Sequence, residues 1–140
     1  MYKKKIDELN LAINLSSHAT NLLASAIEEF GDSHVIDSIL REYLSHRKLE
    51  NIDALILACT HYPIIKDKII HYYQDTVDII DPSDIVALTV KQKLETENLM
   101  NPNGKGIKNF YVSDYTESFA NGTKRFFKEE ISLKPYPLWE

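Results

Sequence analysis

The stretch that most constrains the fold is Asp53 to Ala58, which opens the longer run "ALILACTHYP" at residues 54 to 63. Behind a single Asp, apolar residues follow one another without alternating. A strand with one face in water alternates apolar and polar residues, whereas an unbroken run marks a parallel strand covered on both faces. Helices must supply those covers, so the fold class is α/β, a parallel sheet flanked by helices. The rest of the chain supports this. Helical spacing of apolar residues predicts helices over Tyr2 to Asn10, Asn21 to Phe30, Val35 to Leu49, Pro63 to about Tyr73, Ser83 to Asn98 and Thr116 to Phe127. Gly31 can end the second of these, and Ser83 is the candidate N-cap of the fifth. Further strands are expected at Ala12 to Ser17, Val77 to Asp81 and Asn109 to Asp114, with a turn-rich loop at Asn101 to Gly106.

The apolar run stops at Cys59, the only cysteine among 140 residues. Ligands of open parallel sheets bind outside the carboxyl ends of strands, and Cys59 sits at such an end. A helix starting near Pro63 would turn its positive end toward the thiol, and His61 lies two residues away; both features favour thiolate over thiol in general. Thr60 adds a hydroxyl and an N–H at the same turn. Glu28, on an earlier helix, can reach His61 and set its tautomer. On spacing alone a second account stands beside this one: a lone Cys after an apolar run is usually a small buried hydrophobe, and a nearby His a packed or surface residue. Cys59 and His61 are two possible metal ligands. His18, His34, His46 and His71 show no ligand spacing and read as ordinary surface or boundary histidines, so no metal site is expected.

Net charge is −5 with both signs interspersed, which provides no electrostatic footprint for nucleic acid or an anionic membrane. No apolar stretch approaches a membrane span. The start "MYKKKIDELN" has no apolar region behind its lysines and does not read as a signal peptide. One cysteine excludes a disulfide within the chain, which suits a reducing cytoplasm.

The segment "LILACTHYPII" (Leu55 to Ile65) resembles the second catalytic motif of bacterial glutamate racemases, normally Leu-Gly-Cys-Thr-His-Tyr-Pro-Leu. The resemblance runs on through "HATNLLASAIEEF" (His18 to Phe30), "VDIIDPSDIVA" (Val77 to Ala87) and "FYVSDYTESF" (Phe110 to Phe119), from the middle of a family member to its end. It implies a cofactor-independent amino-acid racemase whose substrate is glutamate and whose D-glutamate feeds peptidoglycan. Two cysteines face opposite sides of the α-carbon; one removes its proton while the other returns one. By motif matching Cys59 is the second of these, His61 assists it and touches substrate, Glu28 partners that His, and Thr60 contacts substrate. The implied fold is an incomplete two-lobe racemase, with residues 1–81 the later part of an inserted lobe and 82–140 the segment returning to the first.

This chain departs from the pattern in several places. The first catalytic Cys and the turns that hold the substrate carboxylate belong to the amino-terminal half of the family and are not in this sequence. Asn21 and Ser25 replace usual prolines, Ala58 a usual Gly, and Phe30 stands where Gly is common. With one thiol the chain alone is expected to be inactive, and a homodimer would only bring together two copies of the same half-site. The competing accounts are a non-catalytic relic serving as a binding module, and membership of the aspartate or hydantoin racemase branch.

Overall fold

A computed structural model describes residues 2–31, 33–104, 106–127 and 129–138, the side chains of Ser118 and Arg125 aside. Two parallel strands, β1 (Ala54–Ile56) and β2 (Asp78–Ile80), pair with Ala54, Leu55 and Ile56 opposite Asp78, Ile79 and Ile80. They correspond to the expected strands in shortened form. A second parallel pair joins β3 (Phe110–Val112) to β4 (Leu133–Pro135). The helices are α1 (Tyr2–Glu8), α2 (Leu23–Phe30), α3 (His34–Leu44), α4 (Lys66–Tyr73), α5 (Pro82–Thr96) and α6 (Glu117–Phe127). The molecule is thus an α/β fold of short parallel strands among helices, as the unbroken apolar run requires.

Among the described residues every buried apolar side chain lies between Leu23 and Ile69. Leu23, Ala26 and Ile27 of α2 meet Ile36, Leu40 and Leu44 of α3, with Leu57, Ile65 and Ile69 closing the cluster. Ile36 is 0% exposed and Ile65 1%, so each contributes about 1.5–3 kcal/mol through burial. Lys68 of α4 donates to Asp37 of α3 at 2.6 Å, tying the two helices at the rim. α6 lies against α2.

Gly31 ends α2 with φ 58° and ψ −127°, a region that a side chain makes costly, and its N–H donates to the Ile27 carbonyl. The expected helix to Leu49 breaks earlier. α3 stops at Leu44 and is succeeded by a separate 3-10 turn, Arg47–Leu49, capped by His46 Nδ1 accepting from the Lys48 N–H at 3.2 Å.

Three further expectations need correction. Ala12 to Ser17 is not a strand: residues 11–20 are irregular. A strand exists only with a partner backbone, and this segment instead ties itself to Lys48, whose carbonyl accepts from the Ser16 hydroxyl and whose Nζ donates to the Ser17 carbonyl. The N-cap of α5 is Asp81, not Ser83. Pro82 takes the first helical position, which pushes the cap back to Asp81, and Asp81 Oδ1 accepts from the Ser83 N–H at 2.9 Å. The helix expected from Pro63 begins instead with a 3-10 turn, Tyr62–Ile65, and is α-helical only from Lys66. The loop at Asn101 to Gly106 is irregular as expected, Lys105 lying outside the described residues.

Candidate functional site

β1 leads out through Leu57, which is buried and whose N–H donates to the Ile80 carbonyl at 3.0 Å. That bond extends the pairing with β2 by one step and holds the chain until it turns. The turn then closes: the Tyr62 N–H donates to the Cys59 carbonyl at 3.2 Å, and the Ile64 N–H to the His61 carbonyl at 3.1 Å. The thiol therefore stands at the carboxyl end of a parallel strand, half-buried, where the apolar run had placed it. Beyond the thiol the chain enters the 3-10 turn rather than the first turn of an α-helix.

Three of the sequence-predicted residues come together in a line. Cys59 Sγ lies 3.7 Å from His61 Nδ1, and His61 Nε2 lies 2.6 Å from Glu28 Oε1. A carboxylate only accepts, so the short bond to Glu28 places a proton on Nε2. In the neutral ring Nδ1 is then the lone-pair nitrogen, facing the thiol as an acceptor. In the imidazolium the same nitrogen donates to a thiolate. The arrangement thus fits a thiol that gives up and regains a proton with help from an oriented imidazole. Thr60 is exposed at the same turn.

Sequence reasoning missed the residues that hold this line. Tyr62, next to His61, shares a short hydroxyl–hydroxyl hydrogen bond with Thr20, just ahead of α2. Tyr43 Oη accepts from the Leu22 N–H at 3.1 Å. The first pins the approach to the helix that carries Glu28 to the loop that carries His61, and the second pins the start of that helix to α3. No sequence signal could reveal a partnership across 42 residues. Of the histidines read as ordinary, His18 stacks on His46 with ring centres 4.1 Å apart. Partial burial, with His46 and Lys48 adding to it, holds the His18 imidazole below its usual range.

The Cys59–His61–Glu28 line is open to one side. His61 and Glu28 side chains are 31% and 58% exposed. Two surface hollows, one beside Leu49, Tyr72 and Tyr73 and the other beside Asp53, Ile70 and Asp78, include none of the three. Among the described residues no cluster of three or more His, Cys, Asp or Glu is placed to hold a metal ion, and no helix is long and apolar enough to cross a membrane.

No protein-family model matches the chain. Its sequence is 35% identical over 134 residues to glutamate racemase 3 of Caldanaerobacter subterraneus, a match covering 94% of this chain and 49% of that protein. A glutamate racemase of Lactobacillus johnsonii matches at 28% identity over 92% of the chain and 49% of its own length. In structure the chain superposes on a glutamate racemase isoform from Bacillus anthracis with a TM-score of 0.85 at 27% identity. It superposes on the glutamate racemase of Francisella tularensis, solved in complex with D-glutamate, with a TM-score of 0.83 at 35% identity. Both superpositions take in 98% of this chain and 52% of the other. The chain therefore spans about half the length of the relatives it matches, consistent with their C-terminal half. In sequence and in fold, over that half, the chain is similar to glutamate racemases.

Proposed function

We propose that this chain supplies one half of the catalytic site of a glutamate racemase, with Cys59 as one of the two acid–base groups that interconvert L- and D-glutamate. In the direction where Cys59 is the base, its thiolate takes the α-proton while a thiol on the opposite face of the carbon delivers another. In the reverse direction Cys59 is the thiol that delivers. His61 stands behind Cys59 to move charge with that proton, Glu28 holds the ring, and Thr60 and His61 contact the substrate. The chemistry asks for no cofactor. The product serves peptidoglycan synthesis in the cytoplasm. Residues 1–81 form the later part of one lobe and residues 82–140 the segment returning to the other, a division in keeping with a core confined to Leu23 through Ile69.

The observation that carries this reading is the Cys59–His61–Glu28 line at a strand end, within a fold that matches half a glutamate racemase. A two-base racemase needs donor and acceptor within reach on both faces of the α-carbon. One thiol meets half of that need, so residues 1–140 alone are expected to show no turnover of L- or D-glutamate by circular dichroism. Joining them to the complementary half of the Francisella enzyme is expected to restore racemisation, and Cys59→Ala in the joined protein to abolish it in both directions. Undiminished racemisation by that variant would sink the assignment.

A further inference from the structure

We infer that His18, His46 and Lys48 form a proton-operated latch. It closes residues 16–20 onto the 3-10 turn Arg47–Leu49 while the two imidazoles are neutral, and its opening frees Thr20 from Tyr62, beside His61. The latch itself is independent of the half-site reading; only its effect on the work of His61 rests on that reading.

The segment it holds has little else to order it. Residues 11–17 and 19 are exposed, and His18 and Thr20 are half-buried. Leu11, Ile13 and Leu15 lie outside the core, each 36% or more exposed. Order must come from polar and ring contacts, and these converge. The Ser16 hydroxyl donates to the Lys48 carbonyl at 3.0 Å, Lys48 Nζ donates to the Ser17 carbonyl at 3.3 Å, and the His18 ring stacks on His46 with 22° between the planes. Three consecutive residues thus meet two that flank Arg47. Both ties to Lys48 depend in turn on His46, whose Nδ1 accepts from the Lys48 N–H.

Protonation undoes this arrangement at two points. An imidazolium carries a proton on both nitrogens, so a charged His46 turns a donor toward the Lys48 N–H and caps nothing. With His18 charged as well, two like charges face each other with ring centres 4.1 Å apart, beside the Lys48 ammonium. Among the described residues the titratable groups that face His18 are Tyr43 of α3, its ring centre 6.0 Å away, and His46 and Lys48; no carboxylate is among them to hold the added charge. Opening leaves the core in place. The Leu22 N–H stays on Tyr43 Oη and Leu23 stays buried, so α2 remains seated while Thr20 swings its hydroxyl off Tyr62. The turn behind Cys59 then loses its tie to the approach of α2. A segment with exposed backbone and no buried apolar contact opens well below the energy of global unfolding.

The test is a nuclear magnetic resonance titration of residues 1–140 from about pH 7.5 to about pH 5, a range that brackets the ordinary histidine value of about 6.5. The His18 midpoint is expected below that value. At the same midpoint Ser16 to Thr20 are expected to lose backbone order and the Lys48 and Tyr62 amides to shift, while the Leu23, Ile36 and Leu40 amides stay unchanged. The double variant His18→Phe, His46→Asn keeps a ring at position 18 and an acceptor for the Lys48 N–H, and neither titrates; it is expected to hold the segment ordered across the whole range. Thr20→Val is expected to leave the opening intact and to uncouple Tyr62 from it. Order of Ser16 to Thr20 that ignores pH, the same loss of order in the double variant, a Tyr62 amide that does not follow the transition, or loss of the core amides along with it would each overturn the inference. Turnover is measured separately in the joined protein. Its failure there, with the titration as expected, overturns the half-site reading and upholds the latch.

Discussion

Glu28→Gln, made in the protein that joins residues 1–140 to a complementary racemase half, tests how the site distributes its work. The bond at stake is short, 2.6 Å from His61 Nε2 to Glu28 Oε1. Its value depends on cover. With Glu28 58% exposed, as in this chain, a surface pair contributes about 0.2–1 kcal/mol, less than a sixfold effect. Once water is excluded, a hydrogen bond to a charged group contributes about 1.5–3 kcal/mol, or roughly 10–150-fold in rate. Gln keeps an acceptor for Nε2–H but no charge to support the imidazolium, so the loss is expected within that larger range. L- and D-glutamate have equal free energies in solution, so kcat/KM must stay equal in the two directions. The asymmetry must appear in kcat and KM taken separately, with kcat falling more where Cys59 is the base. The assay is circular dichroism of racemisation from each enantiomer. His61→Asn is expected to show the same split with a larger loss, roughly 10²–10⁴. A loss below about fivefold for Glu28→Gln, with kcat equal in both directions, would refute the account of Glu28 as the group that sets His61.

The remaining predictions concern stability. Ile36→Ala is expected to cost about 2–5 kcal/mol, because Ile36 is 0% exposed at the centre of the only cluster of buried apolar residues described, whereas Leu88→Ala in residues 1–140 is expected to change stability by less than about 0.5 kcal/mol; urea titration separates the two, and equal effects would mean that the core lies elsewhere. The Ser83 N–H, with Lys66 adding to it against some desolvation, holds the Asp81 carboxyl below its usual range. The stability this provides is present above about pH 4 and lost as pH falls through the folded value, so Asp81→Asn, which caps without titrating, is expected to flatten the acid limb of a urea-midpoint curve. Asp81→Ala is expected to cost about 1 kcal/mol at neutral pH in the same titration. His18 is also lowered, so its stability contribution is present above about pH 6.5 and declines below it; His18→Gln is expected to remove that decline, and an unchanged curve would show that the stack on His46 does not govern it.

Features that depend on neighbours along the chain were legible in the residues alone. The unbroken run before Cys59 made a parallel strand, because only such a strand tolerates apolar residues on both faces. The spacing of Cys59 and His61 brought thiol and imidazole together, because a turn of that length leaves them little room to separate. Leu22, Leu23, Ala26 and Ile27 could be read as apolar residues at helical spacing, of which Leu22 turned out exposed ahead of the helix, and Gly31 as the helix's end.

Other features waited for the folded chain. Ala12 to Ser17 has the composition of a strand but no partner backbone, and it became a tie to Lys48. Leu133–Pro135, with one proline within it and another just beyond, is not among the expected strands, yet it pairs with β3: the Val112 carbonyl accepts from the Tyr136 N–H at 2.8 Å, and the strand sits at an edge, where a proline costs no ladder bond. Asp81 and Ser83 are both good caps, and the choice fell to Asp81 once Pro82 took the first helical position. The bond from His61 to Glu28 crosses 33 residues, and the tie from Tyr62 to Thr20 crosses 42. Local pattern carries no information over such distances, because it is the packing of α2 against α3 and the turn after β1 that sets them. α5 shows the same division most plainly: its residues determine that it is a helix, and only the surrounding fold decides whether its apolar Ile85, Val86, Leu88 and Val90 have anything to lie against.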